Sequence, residues 1–432
     1  DGINPSCGDE LTLALRLNGD VIEEAAFTGH GCAVSQAAAD MMADLVTGET
    51  VDEARRLSSL YLDMIKGRPL TDEERADLDE AAELVGKYEI VPAAVAQKAI
   101  PACNITFIAG GEMKQALSGY RGTIGVYNYK TGEILCAVSS PTYDPDDVPD
   151  VEGNPETYEG VYVNRFLHAT YTPGSVFKLV TAAAALDEIP DILSRTFTCE
   201  GSAVIGGETI QCNGVHGTLN FEEALAHSCN VVFGEIAAEL GPKTLMRYAE
   251  QVGVTRRYSF DGTTTAAGSF DVSNAAESEL AWAGIGQYTD QINPCQYMTY
   301  MGAIANGGSA AEPFLVKEVT YGDSVKYKAS TSSTGRLLDS TTAGRLADMM
   351  HNAVVNVYGE WNFAGLYAGG KSGTAENGGG KAANAVFAGF LQDSDYPLAF
   401  IVVVEEGGGG ASVCTPILSQ VLSACVVAMD AD

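Results

Sequence analysis

Three short segments of this chain carry side chains able to do chemistry, and they occur in a fixed order. They are Ser175-Val176-Phe177-Lys178, Ser228-Cys229-Asn230 and Lys371-Ser372-Gly373-Thr374. A serine hydroxyl is a weak nucleophile until a base takes its proton, and an amine three residues along a helix lies on the same face as the hydroxyl. A lysine amine, of ordinary pKa ~10.4, becomes such a base when burial lowers that value. Phe177, Leu179 and Val180 supply the apolar surroundings. The hydroxyl of Ser228 and the amide of Asn230, two residues apart at a turn, can relay a proton and hold a substrate amide. Lys371 offers a cation for a carboxylate, Gly373 lets a substrate backbone approach closely, and Thr374 can present a backbone N–H to an oxyanion. The chemistry that these parts share is acyl transfer through a serine ester. Taken singly, each segment also has a bland reading: a capping serine beside a solvated lysine, a capping turn, a glycine-flanked strand. Lys130-Thr131-Gly132 imitates the third segment, but it precedes the nucleophile and sits between two strand runs, so it reads as a hairpin turn.

The elements that must position these residues follow from periodicity. Thr123–Asn128 and Glu133–Ser139 form the hairpin around that turn, and Pro141 to Gly160 is an Asp- and Pro-rich loop. Pro173-Gly174 opens a long apolar helix over Ser175–Leu186. Helices are expected at 221–239, 242–252, 293–306 and 341–356, then strands at Val386–Leu391 and Leu398–Glu405, and a last helix at Pro416–Met429. Helices in the middle and strands at both ends indicate an α+β domain whose sheet joins its termini. Upstream, residues 11–28 read as a strand pair turning at Asn18-Gly19-Asp20. Helices are expected over Ala33–Leu45 and Val51–Lys66, with a third opening at Thr71-Asp72-Glu73-Glu74 on N-cap chemistry.

At 432 residues, the chain should hold two or three domains. Its 57 Asp and Glu against 25 Lys and Arg give a net charge of −32, which repels nucleic acid. The acidity is spread throughout, as a solubilising surface would be. No window reaches the ~20 apolar residues of a membrane span, and no signal peptide opens the chain. The ten cysteines are scattered and form no dense disulfide framework. Cys199 and Cys212 flank a Gly-rich hairpin-like stretch, and a disulfide, free thiols or a metal role are all open for them.

Order and flanking sequence decide among these readings. The stretch Gly122–Ser140, the segment Tyr171–Leu179 (YTPGSVFKL), His216-Gly217, Gly284–Met298 and the strand Ala385–Leu391 resemble the penicillin-binding protein transpeptidase family, of the monofunctional class B kind, over about residues 119–430. Asn293-Pro294 stands where Thr-Pro is usual in that family. The resemblance implies a serine β-lactamase/transpeptidase-like domain with an antiparallel sheet and a helical subdomain. It implies that Ser175 attacks the D-Ala-D-Ala carbonyl of a peptidoglycan stem peptide, or a β-lactam, with Lys178 as general base. Ser228 and Asn230 would assist proton transfer and bind the substrate amide, and Lys371, Ser372 and Thr374 would bind the terminal carboxylate. Backbone N–H groups of Ser175 and Thr374 would form the oxyanion hole. No cofactor is implied for this domain. The partners implied are stem peptides, β-lactams and a cell-wall glycosyltransferase, at the extracytoplasmic face of the cell membrane. A serine β-lactamase or a penicillin sensor shares the three motifs and is the alternative; water in place of an amine as acyl acceptor would make the same site a D,D-carboxypeptidase.

The first ninety residues differ. Asn4–Glu10, with Cys7 and Asp9, and Gly29–Ser35, with Cys32, resemble the NifU N-terminal or SufU type of iron–sulfur scaffold over about residues 1–93. In that family Cys7, Asp9 and Cys32 would be metal ligands or sulfur acceptors, for zinc or an iron–sulfur cluster. The third cysteine that normally follows Glu89–Ala93 is missing here, and Cys103 is the only nearby substitute. Such scaffolds work in the cytoplasm. The expected organisation is a small α+β scaffold-like module at 1–93, a junction at 94–118 and a transpeptidase-like domain at 119–432. Sulfur or metal carriage by the first module is the rival function.

Overall fold

The structure, a computed structural model, describes residues 9–30, 45–65, 88–92, 119–143, 157–321, 324–376 and 380–430, with a strand at Gly2–Asn4 and isolated residues between these segments. Cys7, Cys32 and Cys103 lie outside the described residues, as does most of the helix expected over Ala33–Leu45.

In the N-terminal part, strands β1 (Gly2–Asn4), β2 (Asp9–Asn18) and β3 (Val21–His30) form an antiparallel sheet, turning at Gly19 as the sequence requires. Asp9 pairs with Asn4 at the start of β2. Helix α1 (Val51–Ile65) packs Ala54 with Ile22 and Val46 in a small core. At the expected third helix, the Thr71 hydroxyl accepts from the Glu74 N–H while the Glu74 carboxylate accepts from the Thr71 N–H, which is a capping box. Strand β4 (Tyr88–Pro92) leaves this region and pairs with a strand more than two hundred residues later.

The larger part begins with β5 (Arg121–Asn128) and β6 (Ile134–Ser140), followed by the short α2 (Arg165–His168). A 3₁₀ turn at Gly174–Phe177 leads into α3 (Lys178–Glu188). Four short strands follow: β7 (Thr196–Cys199), β8 (Ser202–Ile205), β9 (Glu208–Gln211) and β10 (Gly217–Asn220). Then come α4 (Phe221–Ala226), α5 (Asn230–Gln251), the minimal hairpin β11 (Ser259–Phe260) with β12 (Thr263–Thr264), α6 (Glu277–Gly284) and α7 (Pro294–Ala305). The pair β13 (Val316–Tyr321) and β14 (Ser324–Lys328) carries β4 at its edge, in the order β14-β13-β4. Helix α8 (Ser340–Ala353), strands β15 (Ala368–Ala375), β16 (Asn384–Leu391) and β17 (Leu398–Glu405), and helix α9 (Gly410–Asp430) complete the chain.

Strands from both ends of this part form one antiparallel sheet, ordered β15-β16-β17-β5-β6, as expected. Side chains alternate between its two faces. Val386, Ala388 and Phe390 join one core with α3, α5 and α7, while Ala385, Phe387 and Leu391 join a second core under α9. Helix α9 is long and apolar enough to cross a membrane. One face of it, with the buried Cys414, Ile417, Leu418, Val421 and Leu422, lines that second core.

Two of the boundaries that differ from the sequence reading bear on the chemistry. The expected helix over Ser175–Leu186 starts as a 3₁₀ turn and becomes α-helical only at Lys178. The expected helix 221–239 is broken at 227–229, where Ser228 takes a positive φ of 56°. Both deviations fall on the chemical motifs, where backbone conformation is spent on aiming side chains.

Candidate active site

Ser175 and Lys178 face each other because the 3₁₀ turn eclipses residues three apart. Lys178 Nζ lies 3.0 Å from Ser175 Oγ. The same amine donates to Ser228 O at 2.7 Å and to Asn230 Oδ1 at 2.7 Å, and it lies 3.1 Å from Ser228 Oγ. The break before α5 makes this possible: the left-handed Ser228 turns its carbonyl and hydroxyl toward the amine, and Asn230 opens the helix. Lys371 Nζ completes the chain of contacts at 2.9 Å from Ser228 Oγ and 2.8 Å from Ser372 O.

Both lysines have no solvent exposure. Burial first, and then the charge of Lys371, holds the Lys178 amine well below its ordinary pKa. Burial pushes Lys371 down to about 7. Two ammonium ions bridged by a single serine hydroxyl repel each other, so the pair favours one proton, carried by Lys371. Lys178 is then a free amine beside the Ser175 hydroxyl, which is what a general base must be.

The five residues Ser175, Lys178, Ser228, Asn230 and Lys371 therefore converge. Gly373 is also at the site, and the close approach that it permits is to the chain's own nucleophile turn. A Cβ at Gly373 would lie 2.7 Å from Pro173 O, and one at Gly174 would lie 2.6 Å from Thr374 O. Ser372 and Thr374 sit on the opposite strand face from Lys371. The Ser372 hydroxyl lies 3.1 Å from Tyr358 Oη, and the Thr374 hydroxyl accepts from the Gly410 N–H at 3.1 Å. The turn Lys130–Gly132 lies in the β5–β6 hairpin, with Gly132 at φ 94°, away from these residues.

Sequence reasoning gave no role to Gln287, although it sits in the quoted stretch Gly284–Met298. Its Nε2 donates to Thr374 O at 2.7 Å and its Oε1 accepts from the Glu376 N–H at 3.3 Å. Beside it, Gly286 O accepts from the Gly174 N–H at 2.9 Å. One loop thus clamps both the nucleophile turn and the end of β15. In an antiparallel strand the N–H and C=O of one residue point to the same edge. The Thr374 N–H therefore faces the same open edge as the carbonyl that Gln287 holds. Asn293, in place of threonine, caps α7 by accepting from the Gln296 N–H, and its amide donates to Leu167 O and Ala169 O.

Behind the second motif lie Cys199, Cys212, His216 and Cys229, with one donor atom of each within 4.8 Å of the others. Cys212 Sγ is 3.7 Å from Cys229 Sγ and 3.6 Å from His216 Nδ1, and it accepts from the Asn230 N–H at 3.2 Å. The hydrogen bond from Cys229, with backbone N–H groups, lowers the Cys212 thiol to about 4, while Cys229 is pushed up. All seven cysteines among the described residues are free, so the Cys199–Cys212 disulfide is not formed. Periodicity does not reveal this cluster; the spacing Cys-x12-Cys-x3-His-x12-Cys was its only signal in the sequence.

The family model for the penicillin binding protein transpeptidase domain matches residues 122–423, and that for the NifU-like N terminal domain matches residues 1–122. The chain is 31% identical to stage V sporulation protein D of Bacillus subtilis over 313 residues, covering 68% of this chain and 47% of that protein. It thus spans about half the length of that relative. Its N-terminal part is 36% identical over 85 residues to the zinc-dependent sulfurtransferase SufU of Bacillus subtilis, covering 20% of this chain and 58% of that protein. Among solved structures, it is similar to the D,D-transpeptidase domain of a peptidoglycan glycosyltransferase from Eggerthella lenta. That match has a TM-score of 0.67 at 28% identity and covers 73% of this chain and 80% of the other. It is also similar to a ceftriaxone acyl-enzyme of penicillin-binding protein A from M. tuberculosis, with a TM-score of 0.66, 25% identity, and 72% and 77% covered.

Proposed function

Since the chain belongs to the penicillin-binding protein transpeptidase family over residues 122–423, we propose that it is a D,D-transpeptidase working through a Ser175 acyl-enzyme on stem peptides ending in D-Ala-D-Ala. The observation that carries this reading is the buried Lys178 amine, 3.0 Å from Ser175 Oγ and held well below its ordinary pKa. Lys178 takes the Ser175 proton as Oγ attacks the penultimate D-Ala carbonyl. The N–H groups of Ser175 and Thr374 receive the resulting oxyanion. The Ser372 and Thr374 hydroxyls exchange their present partners for the terminal carboxylate, and Lys371, protonated on the other face of β15, draws that carboxylate by its charge and holds the Ser228 hydroxyl. The Ser228 hydroxyl, bridging the two amines, passes the proton to the leaving nitrogen, the C–N bond breaks and D-alanine departs. Asn230 binds the substrate amide. An amine of a second stem peptide then attacks the ester and restores the Ser175 hydroxyl. A β-lactam follows the first half of this course, and its ring nitrogen takes the proton.

The expected experiment is covalent labelling by a fluorescent penicillin, lost in Ser175→Ala with unchanged thermal stability. Labelling that survives the substitution would falsify the assignment. A label released within minutes would instead favour a β-lactamase. A cell-wall glycosyltransferase partner and an extracytoplasmic site are part of the same proposal, supported by family resemblance.

For the N-terminal part, the identity to SufU and the model match support a scaffold-like module over 1–93, joined through 94–118 to the enzyme at 119–432. Cys7, Asp9 and Cys32 would hold zinc or an iron–sulfur cluster there. Loss of bound metal in a Cys7→Ser, Cys32→Ser double variant tests this second reading.

A further inference from the structure

We propose that Cys199, Cys212, Cys229 and His216 bind one divalent zinc ion directly behind the second catalytic motif. Zinc takes four thiolate and imidazole ligands tetrahedrally, with Zn–S of about 2.3 Å and Zn–N of about 2.0 Å; neighbouring ligand atoms then stand about 3.8 Å apart for S and S and about 3.6 Å for S and N. The Cys212–Cys229 separation is 3.7 Å and the Cys212–His216 separation is 3.6 Å. Sulfurs at 3.7 Å are not joined as a disulfide, whose length is about 2.05 Å. Four donor atoms within 4.8 Å of one another surround a single ion and leave no room for a cluster of several metals. Cys199 and Cys229 are fully buried, which gives the ion a dry setting.

The elements present these ligands without strain on the core. Cys199 ends β7 opposite Gly217 in β10, His216 immediately precedes β10, Cys212 follows β9, and Cys229 is the residue before α5. Two otherwise small strand pairs, β7–β10 and β8–β9, and the start of α5 are thereby joined at one point. On binding, the ion displaces the remaining thiol protons to solvent, and the Cys212 thiolate keeps its hydrogen bond from the Asn230 N–H. Cys229 stands between Ser228 and Asn230. The ion therefore fixes the backbone that aims both residues at Lys178, and these four side chains act as positioning residues for the reaction.

The test uses the full chain carrying Cys7→Ser and Cys32→Ser, which removes the N-terminal thiol donors and leaves Asp9 without its partners. One equivalent of zinc is expected to remain, measured by elemental analysis after gel filtration. Adding Cys199→Ser is expected to remove that equivalent and to lower the acylation rate with fluorescent penicillin. If Cys199→Ser does not fold, cobalt(II) substitution of the parent decides: a tetrahedral thiolate spectrum, with intense visible ligand-field bands and sulfur-to-cobalt charge transfer, is expected. A metal-free parent with no such spectrum, or zinc retained in Cys199→Ser, overturns the proposal. None of these metal readouts depends on the acylation reading, so the two proposals fail separately.

Discussion

At the scale of single residues, the site is a proton-sharing device built from two buried amines and a serine. On the mechanism proposed above, acylation needs Lys178 neutral and Lys371 protonated. Below the depressed pKa of Lys178 the base is charged and the rate falls. Above about 7, Lys371 loses its proton in the free enzyme and binding of the anionic substrate weakens. The expected pH profile of the second-order acylation constant is a bell, with its alkaline limb near neutrality. Stopped-flow labelling across pH measures it, and a profile flat from about 5 to about 9, roughly two units on either side of that limb, would rule out the two-amine account. Lys178→Met should slow acylation by about 10²–10⁴-fold, the usual worth of a positioned base. Gly373→Ala places a methyl 2.7 Å from Pro173 O and 3.2 Å from Val176 N, both backbone atoms that cannot swing aside. A displacement near 1 Å at the nucleophile should cost about 10²-fold in acylation. The labelling rate of purified Gly373→Ala checks this.

At the scale of elements, the nucleophile turn is held by contacts distant in sequence. Arg165, almost fully buried, donates to Glu405 at 2.8 Å, and the Tyr171 hydroxyl donates to the same carboxylate at 2.9 Å. Helix α2, the end of β17 and the segment entering the nucleophile turn are thus tied at one acid. Its pKa is set by opposing effects: burial raises it, and the hydrogen bond and charge of Arg165 more than reverse this. Arg165→Ala should cost about 3 kcal/mol, at the low end for a broken buried pair, because Glu405 keeps Arg121 and Tyr171. Urea denaturation would register it. The capping box of α4, in which Asn220 and Glu223 satisfy each other's backbone N–H, sets where that helix begins just ahead of the second motif. Its signal, an Asn three residues before a Glu, is local in sequence, although the sequence analysis drew on such a signal only at Thr71.

At the scale of the molecule, strand β4 from the N-terminal part pairs with β13 across more than two hundred residues, yet among the described residues the apolar cores of the two parts share no residue. Separate cores unfold as separate units unless their interface is large. Differential scanning calorimetry should show two transitions, and acylation by a penicillin should raise only the one belonging to 119–430. A single transition that moves as a whole would mean that the β4–β13 pairing fuses the two parts.

The sequence by itself determined the three candidate motif segments, the sheet strands within 121–140 and 384–405, and the family. Each depends on residue type, local periodicity or short-range order, and those survive in one dimension. It also determined the hairpin reading of Lys130–Gly132, because a turn is decided within four residues. Only the tertiary structure decided that Lys371 and Lys178 share Ser228, that Gly373 seats the chain's own turn, that Gln287 clamps β15, and that three cysteines and a histidine meet behind Asn230. Those facts arise from sheet closure and helix packing that bring residues 18, 87 and 143 positions apart within hydrogen-bonding distance and set Gly373 against a turn 200 positions earlier. No local pattern encodes such distances, because they are set by how the buried faces of the elements fit together.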